Sequence, residues 1–540
     1  MTPMNQSENV TAPPNSGDRT SKKVSTPRRV AVNTASNWVA IVVRIIINVF
    51  LFSYVYRRLG GKEVFGVYRL GVALSMGVTY LSFGMAGSVI RLASESIAGR
   101  QWDRLSQTMS VARTFLLAAA AVGVLLIVLA SLFLLGPLNV PEDLRPAAAT
   151  MLQLTALGGG IHLMYILYAG LLQAKQRYDL ANIGQVGEVV LRGGLVVLCF
   201  ELGWVGLETL GASAVVAALC GLVALVIMTR RMLPEARLSF RNMSRVAARE
   251  VFGFGAWVTV NQASRQGLAQ AGVPLVSATL GPAAAAVFSV PQMISAYLSS
   301  VVGGLTATLR PVATGFAVRG DQGRLARLYY VGARLSLMMV APALAMLLTH
   351  GKPFLAHWLG AGMVEAYTVM LVYVGLVFGQ LIGTSAEHFI LAVGRIRGVA
   401  LSRLVTSLLG IGMAVAVAVW TDWGILGVVV GLMLPVTLRG IIYLPVRVRA
   451  DAQVTWTGLM ARCVLPPVLT AGVPVAAGWL LLILWPPGSL WEVLFQMAVV
   501  ALVYIPVAWF LVLKADDREL ILRMFQRGET TGESPTGETL

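Results

Sequence analysis

Residues 33–56 read NTASNWVAIVVRIIINVFLFSYVY. The stretch is long and apolar enough to cross a bilayer as a helix, yet Arg44 sits in its middle. Asn33, Asn37, Arg44 and Asn48 are spaced 4, 7 and 4 apart. At about 100° per helical residue they gather into a stripe roughly 60° wide. Val, Ile, Phe and Trp cover the rest of the circumference. An arginine at mid-membrane costs about 2.5–3.5 kcal/mol on insertion scales and faces a partner or a water-filled cavity. One face of this helix is therefore expected to be polar and cationic, while the others meet lipid or neighbouring helices.

The rest of the chain shares this apolar character. Hydrophobic residues make up 57% of the 540, charged residues 12%, and the mean hydropathy is +0.75. Apolar runs of about 20 residues recur along nearly the whole length, each bounded by a short polar loop, which defines an all-α polytopic membrane protein. Membrane strands are excluded because the runs are too long and do not alternate. A net charge of +17 would suggest nucleic acid in a soluble protein. Here the lysines and arginines collect in loops on one side, so no nucleic-acid partner is expected. Cys199, Cys220 and Cys463 lie in apolar runs, and the four histidines form no HExxH pattern. With no phosphate-binding loop, triad signature or zinc spacing, the chain reads as a non-enzyme with neither metal nor cofactor.

About fourteen spans fit the apolar runs. Residues 1–29 read as a disordered basic cytoplasmic arm, 30–231 as a first lobe of six spans and 232–250 as a basic cytoplasmic linker. Residues 251–446 read as a second six-span lobe, 447–513 as two further spans and 514–540 as a cytoplasmic tail. With the amino terminus inside, the basic residues of loops and termini divide roughly 29 to 5 in favour of the inner side. Arg395, Arg397 and Arg403, for example, fall in one inner loop, and Arg447 and Arg449 in another. The bias predicts both termini in the cytoplasm and an even number of spans.

The chain also repeats at an offset of about 220 residues. Arg44 precedes Leu59-Gly60 by 15 residues, and Arg265 precedes Leu280-Gly281 by the same distance. Val64-Phe65-Gly66-Val67 matches Val287-Phe288-Ser289-Val290, Lys175 and Arg177 match Arg395 and Arg397, and Trp204 matches Trp423. Six spans is an even number, so the two halves share one orientation and relate by an axis along the membrane normal.

Arg44 and Arg265 thus occupy equivalent positions, flanked by Asn37 and Asn48 in one half and by Asn261, Gln262, Gln266 and Gln270 in the other. The arginine fork suits phosphate, and amides suit sugar hydroxyls. This points to a cationic, hydrogen-bonding lumen for an anionic, polar substrate. Alternatively, each arginine reaches the interface, a distant acid or a carbonyl. Arg69 is either a third lumen cation or an interfacial arginine. Glu188 and Arg192, four apart, form either a self-neutralised helical ion pair or a coupling site at which Glu188 takes up a proton or cation. Glu387, His388, His162, Tyr165 and Tyr168 are weaker candidates, since aromatics and lone histidines in bundles mostly serve packing.

Arg57-Arg58-Leu59-Gly60-Gly61-Lys62-Glu63-Val64-Phe65-Gly66-Val67-Tyr68-Arg69-Leu70 resembles the first external loop of polysaccharide-type flippases. Leu81–Arg91 resembles their second span and inner loop. The family is the multidrug/oligosaccharidyl-lipid/polysaccharide (MOP) exporter superfamily, with the Wzx-like polysaccharide transporter branch as the best match and a MurJ-like fold. The resemblance covers roughly Val30 to Leu513. It implies a flippase that moves an undecaprenyl-pyrophosphate-linked oligosaccharide from the inner to the outer leaflet by alternating access, for cell-surface polysaccharide biosynthesis. It further implies a bacterial-type cytoplasmic (inner) membrane, and membrane lipids and other polysaccharide assembly proteins as partners. By position, Arg44 and Arg265 would supply the cationic role. A cation-coupled small-molecule exporter and a lipid II flippase stand as alternatives.

Overall fold

The computed structural model describes residues 27–82, 84–236, 243–253, 256–449, 454–513 and 518. The amino-terminal arm lies outside these residues except for its last three, which already belong to the first helix, and the tail lies outside them apart from Arg518. Fourteen long helical rods are seen among the described residues. They are α1 (Pro27–Arg58), α2 (Lys62–Ala98), α3 (Trp102–Phe133), α4 (Arg145–Ala174), α5 (Tyr178–Glu201) and α6 (Leu207–Met232). After a short helix at Arg245–Gly253 come α7 (Ala256–Leu280), α8 (Pro282–Val318), α9 (Gln322–Trp358), α10 (Ala366–Ala392), α11 (Ile396–Trp420) and α12 (Gly424–Arg449). The last two are α13 (Trp456–Leu484) and α14 (Leu490–Val512).

Thirteen of the rods are long and apolar enough to cross a membrane. α7 is long enough, but Asn261, Gln262, Arg265, Gln266 and Gln270 dilute its apolar face. The protein is an all-α polytopic membrane protein. Successive rods alternate in direction, so the arginine-rich loops share one end of the bundle, called the basic end below. Trp204 and Trp423 both stand exposed at turns on the opposite end, 65% and 63% accessible, as amphipathic rings do at a membrane–water interface.

Helix pairing repeats with a shift of six rods. α1 lies on α5 as α7 lies on α11, α2 on α4 as α8 on α10, and α4 on α6 as α10 on α12. α13 and α14 rest on α9, outside that scheme. The halves meet chiefly where α2 lies along α7 and α8. At the opposite end this seam is tight: a Cβ on Gly66 would stand 1.8 Å from the Pro282 carbonyl oxygen. Several polar contacts close the same end. Ser53 Oγ donates to the Trp358 carbonyl (2.5 Å), and Arg57 donates to the carbonyls of His357 (2.8 Å) and Trp358 (2.9 Å). Ser277 Oγ donates to the Leu138 carbonyl (2.7 Å), and Lys62 pairs with Glu365. Of the few cations on this side, Arg57 and Lys62 join the halves, while Arg58 and Arg145 pair with Glu201 and Glu142 in their own half.

α2 is broken at its centre. Its pieces Lys62–Tyr80 and Met85–Ala98 are joined through Gly84, whose φ of +68° favours glycine. The break widens the space beside α7 and positions the site described next.

Candidate functional site

The polar stripe of α1 meets a polar stripe on α5. Asn182 Nδ2 donates to Asn37 Oδ1 (2.6 Å) and Ser36 Oγ (3.1 Å), Arg44 Nη1 donates to Gln185 Oε1 (3.3 Å), and Arg192 Nη2 donates to Asn48 Oδ1 (3.2 Å). Arg44 Nε also donates to the Ala40 carbonyl (3.1 Å), and Asn48 Nδ2 to the Arg44 carbonyl (2.7 Å). Asn182, Gln185 and Arg192 are 3 and 7 residues apart, so they share one face of α5 and run along α1 as a hydrogen-bonded seam.

Beside the seam lies a cavity of about 550 Å³. α1, α2, α4, α5 and α6 build most of it, and α7 closes it from the second half. Its polar wall includes Asn48, His162, Glu188, Arg192, Gln262 and Gln266. The break in α2 brings Tyr80, Ser82, Gly84 and Ala86 to the same wall. His162 Nδ1 stands 3.4 Å from Glu188 Oε2 and its ring stacks on Tyr165 at 4.7 Å. Glu188 therefore faces His162 on α4, and no direct ion pair joins it to Arg192 among the described residues. The expected helical pair is replaced because each side chain finds a partner on a neighbouring helix, His162 for the acid and Asn48 for the base.

Arg69 lies near this wall. Its guanidinium stands 5.2 Å from the Phe52 ring centroid, and it falls within electrostatic range of Arg192 and of Tyr297 on α8. The Nε atoms of Arg69 and Arg192 are both buried without a hydrogen-bond partner. Two like charges with unused donors in one neighbourhood form a place where an anion would be stabilised.

The expected two-walled cavity, with Arg44 on one side and Arg265 on the other, is not what the side chains make. Neither belongs to the cavity wall. Arg44 is drawn into the α1–α5 seam by Gln185. Arg265 is exposed at the cavity's edge, within electrostatic range of Tyr80 in the wall and of Glu387 and Arg403 away from it. Asn37 belongs to the seam, and Asn261 Nδ2 turns to Glu387 Oε1 at 3.5 Å. Of the residues singled out from sequence, Asn48, His162, Glu188, Arg192, Gln262 and Gln266 converge on the cavity.

A second charged cluster lies within the second half. Glu387 on α10 pairs with Arg403 of α11 and, at 3.4 Å, with Arg439 of α12. Arg439 also donates to Ser402 Oγ (3.0 Å) and the Val399 carbonyl (3.2 Å). It opens a π-helical turn, Arg439–Tyr443, a device that redirects side chains within a helix. Arg403 and Arg439 are buried at 7% and 4%. Arg403 reads as a loop cation from sequence and Arg439 passes unnoticed inside an apolar run. Only their position four or more residues inside the span boundaries hints that they face protein. No group of three or more metal-ligating side chains is present among the described residues.

Fold and cavity together define a multi-pass membrane protein built from two six-helix halves around a polar cavity. The family model for "Polysaccharide biosynthesis protein" matches residues 31–315, over half of the chain, and the chain belongs to that family. It is 20% identical over 427 residues to the uncharacterized membrane protein EpsK of Bacillus subtilis (strain 168), covering 78% of this chain and 83% of that one. Among solved structures it is similar to a multidrug resistance MATE family transporter of the MOP superfamily in its inward-facing conformation. There the identity is 15%, the coverage 76% of this chain and 98% of that one, and the TM-score 0.65. It is also similar to the lipid II flippase MurJ in an inward closed conformation, with 12% identity, 91% and 100% coverage and a TM-score of 0.64. The protein thus shares the fold of those two solved structures.

Proposed function

We propose that the protein translocates an oligosaccharide linked to undecaprenyl pyrophosphate from the inner to the outer leaflet of a bacterial cytoplasmic membrane, with both termini and the basic end in the cytoplasm. The observation that carries this reading is the pair Arg69 and Arg192, neighbouring cations with unused buried donors at a polar cavity. A pyrophosphate would satisfy both, while Asn48, Gln262 and Gln266 would exchange hydrogen bonds with sugar hydroxyls. Arg265 at the cavity edge would extend the cationic path, and Arg44 would hold α5, and with it Arg192, in place. No covalent bond needs to break, so translocation requires only solvation of a polar headgroup across the membrane and alternation of the sealed end. The contacts around Gly66 and Arg57 would have to part for release.

The test is a leaflet assay with reconstituted protein and a labelled lipid-linked oligosaccharide. Wild type should translocate it, and Arg69→Gln with Arg192→Gln should slow translocation by tenfold or more, on the order of one or two lost charge-assisted hydrogen bonds. Unchanged translocation by the double variant would remove these arginines from the path. A second reading, a cation-coupled small-molecule exporter, draws on Glu188 in the cavity wall. It predicts transport of small organic cations that Glu188→Gln abolishes, with no movement of the lipid-linked oligosaccharide. A lipid II flippase would show itself in the same assay by preferring a peptidoglycan precursor.

A further inference from the structure

The basic end of the second half carries a separate cleft of about 330 Å³, lined by Arg395 of the α10–α11 connection, Arg397 and Gly398 of α11, and Tyr443 and Arg447 of α12. Its shape is held from above. Arg439 ties α12 to α11 through Ser402 and the Val399 carbonyl, and the π-helical turn that Arg439 opens ends at Tyr443. The Tyr443 hydroxyl reaches across to lie 3.9 Å from where a Cβ on Gly398 would stand.

Arg397 and Arg447 differ from several cations at the same end. Arg104 has Glu250 at 3.2 Å, Arg177 has Asp179 at 2.9 Å, and Arg324 has Asp321 at 3.3 Å. Arg397 and Arg447 are exposed, and neither has a carboxylate partner among the described residues. Each also lies where an exposed apolar stripe ends: on α11, Arg397 is followed at helical spacing by exposed Leu401, Val405 and Leu408, and on α12, exposed Leu438, Ile442 and Val446 stop one residue short of Arg447, about 100° away round the helix. Two apolar tracks suited to acyl chains therefore converge on one basic cleft at headgroup depth.

We propose that this cleft binds the phosphate of an anionic phospholipid from the leaflet at the basic end, with Arg397 and Arg447 gripping the phosphate, Tyr443 donating a hydrogen bond and the acyl chains lying along the α11 and α12 stripes. The site is distinct from the transport cavity and does not depend on the transported substrate. The continuous apolar tracks favour a lipid over a soluble phosphate.

Native mass spectrometry of the full chain, delipidated and then offered equal phosphatidylglycerol and phosphatidylcholine, tests it. An arginine at a membrane surface favours an anionic lipid by about fivefold, so two should give about thirtyfold. Arg397→Gln with Arg447→Gln should lower the wild-type preference at least tenfold. An unchanged preference overturns the site. Should the double variant lose its helical circular dichroism, photo-cross-linking decides. Tyr443→p-benzoylphenylalanine in the otherwise native chain should label phosphatidylglycerol ahead of phosphatidylcholine, and equal or absent labelling overturns the site. Glycerol phosphate at millimolar concentration should leave the bound phosphatidylglycerol in place; displacement would assign the cleft to a soluble anion and overturn the lipid proposal.

Discussion

In the first half Glu188 is met by His162 on the cavity wall, and Arg192 by Asn48, whereas in the second half Glu387 is wedged between two buried arginines, Arg403 and Arg439. The two halves share their helix pairing, so the difference lies in where charge falls on a common scaffold. The two acids are almost equally buried, Glu188 at 15% and Glu387 at 13% of side-chain surface, but the partner of Glu188, His162, keeps 43% while Arg403 and Arg439 keep 9% and 3%. The first cluster can exchange partners with a ligand or water. The second commits both arginines to Glu387 and ties α10, α11 and α12 to one another. A repeat thus reproduces backbone packing without reproducing chemistry, and one half is free to carry a site while the other supplies a rigid wall.

The largest expected effect tests the second cluster. Glu387→Gln leaves Arg403 and Arg439 buried without a counter-charge and should destabilise the protein by about 3–5 kcal/mol, read as a lowered unfolding midpoint in detergent. Replacing all three residues together by apolar residues of similar volume should restore most of that loss. If the single change is silent, the second cluster is no more rigid than the first.

Gly66→Ala comes next. The added methyl would meet the Pro282 backbone, which cannot rotate away, and should cost about 1–3 kcal/mol in the sealed arrangement. Cysteine accessibility at Ser53, beneath the same seal, should rise in this variant. No change there would show that the seam at the opposite end does not hold the halves together.

Gln185→Leu removes one contact between α1 and α5 and should cost ~0.6 kcal/mol, the average for interhelical hydrogen bonds in membranes. Differential scanning fluorimetry against wild type measures it. A loss as large as that of Glu387→Gln would mean that the seam around Arg44 is as tightly sealed as the second cluster. The smallest effect belongs to Glu188→Gln, which should move stability by less than about 0.5 kcal/mol because Gln can keep the contact with His162, itself open to the cavity, and Arg192 keeps Asn48. A large stability loss there would erase the contrast between the halves.

Much of the fold is legible along the chain because hydropathy is a local quantity. Twenty apolar residues must form a helix in lipid, whatever surrounds them. The turns at Gly60, Gly203, Gly281 and Gly424 adopt positive φ and stand between apolar runs, so the rods separate cleanly there. The positions of the side chains are less legible. Glu188 and Arg192 are ideally spaced for a helical pair, yet His162 and Asn48 from other helices meet them instead. Arg403 sits in a sequence that reads as loop, yet α11 begins at Ile396 and carries it inside.

From sequence alone come the all-α membrane character, the fourteen rods, the six-rod repeat and a polar stripe on α1, because each depends only on residue type and helical period. Tertiary structure alone decides that this stripe is a seam with α5, that Arg192 lines the cavity with Arg69 within electrostatic range of it, and that Glu387 neutralises two distant arginines. Those outcomes depend on the rotation and height of each helix against its neighbours. A hydrogen bond needs agreement within a few tenths of an ångström, and a hydropathy pattern specifies a helix's burial only to within a broad face.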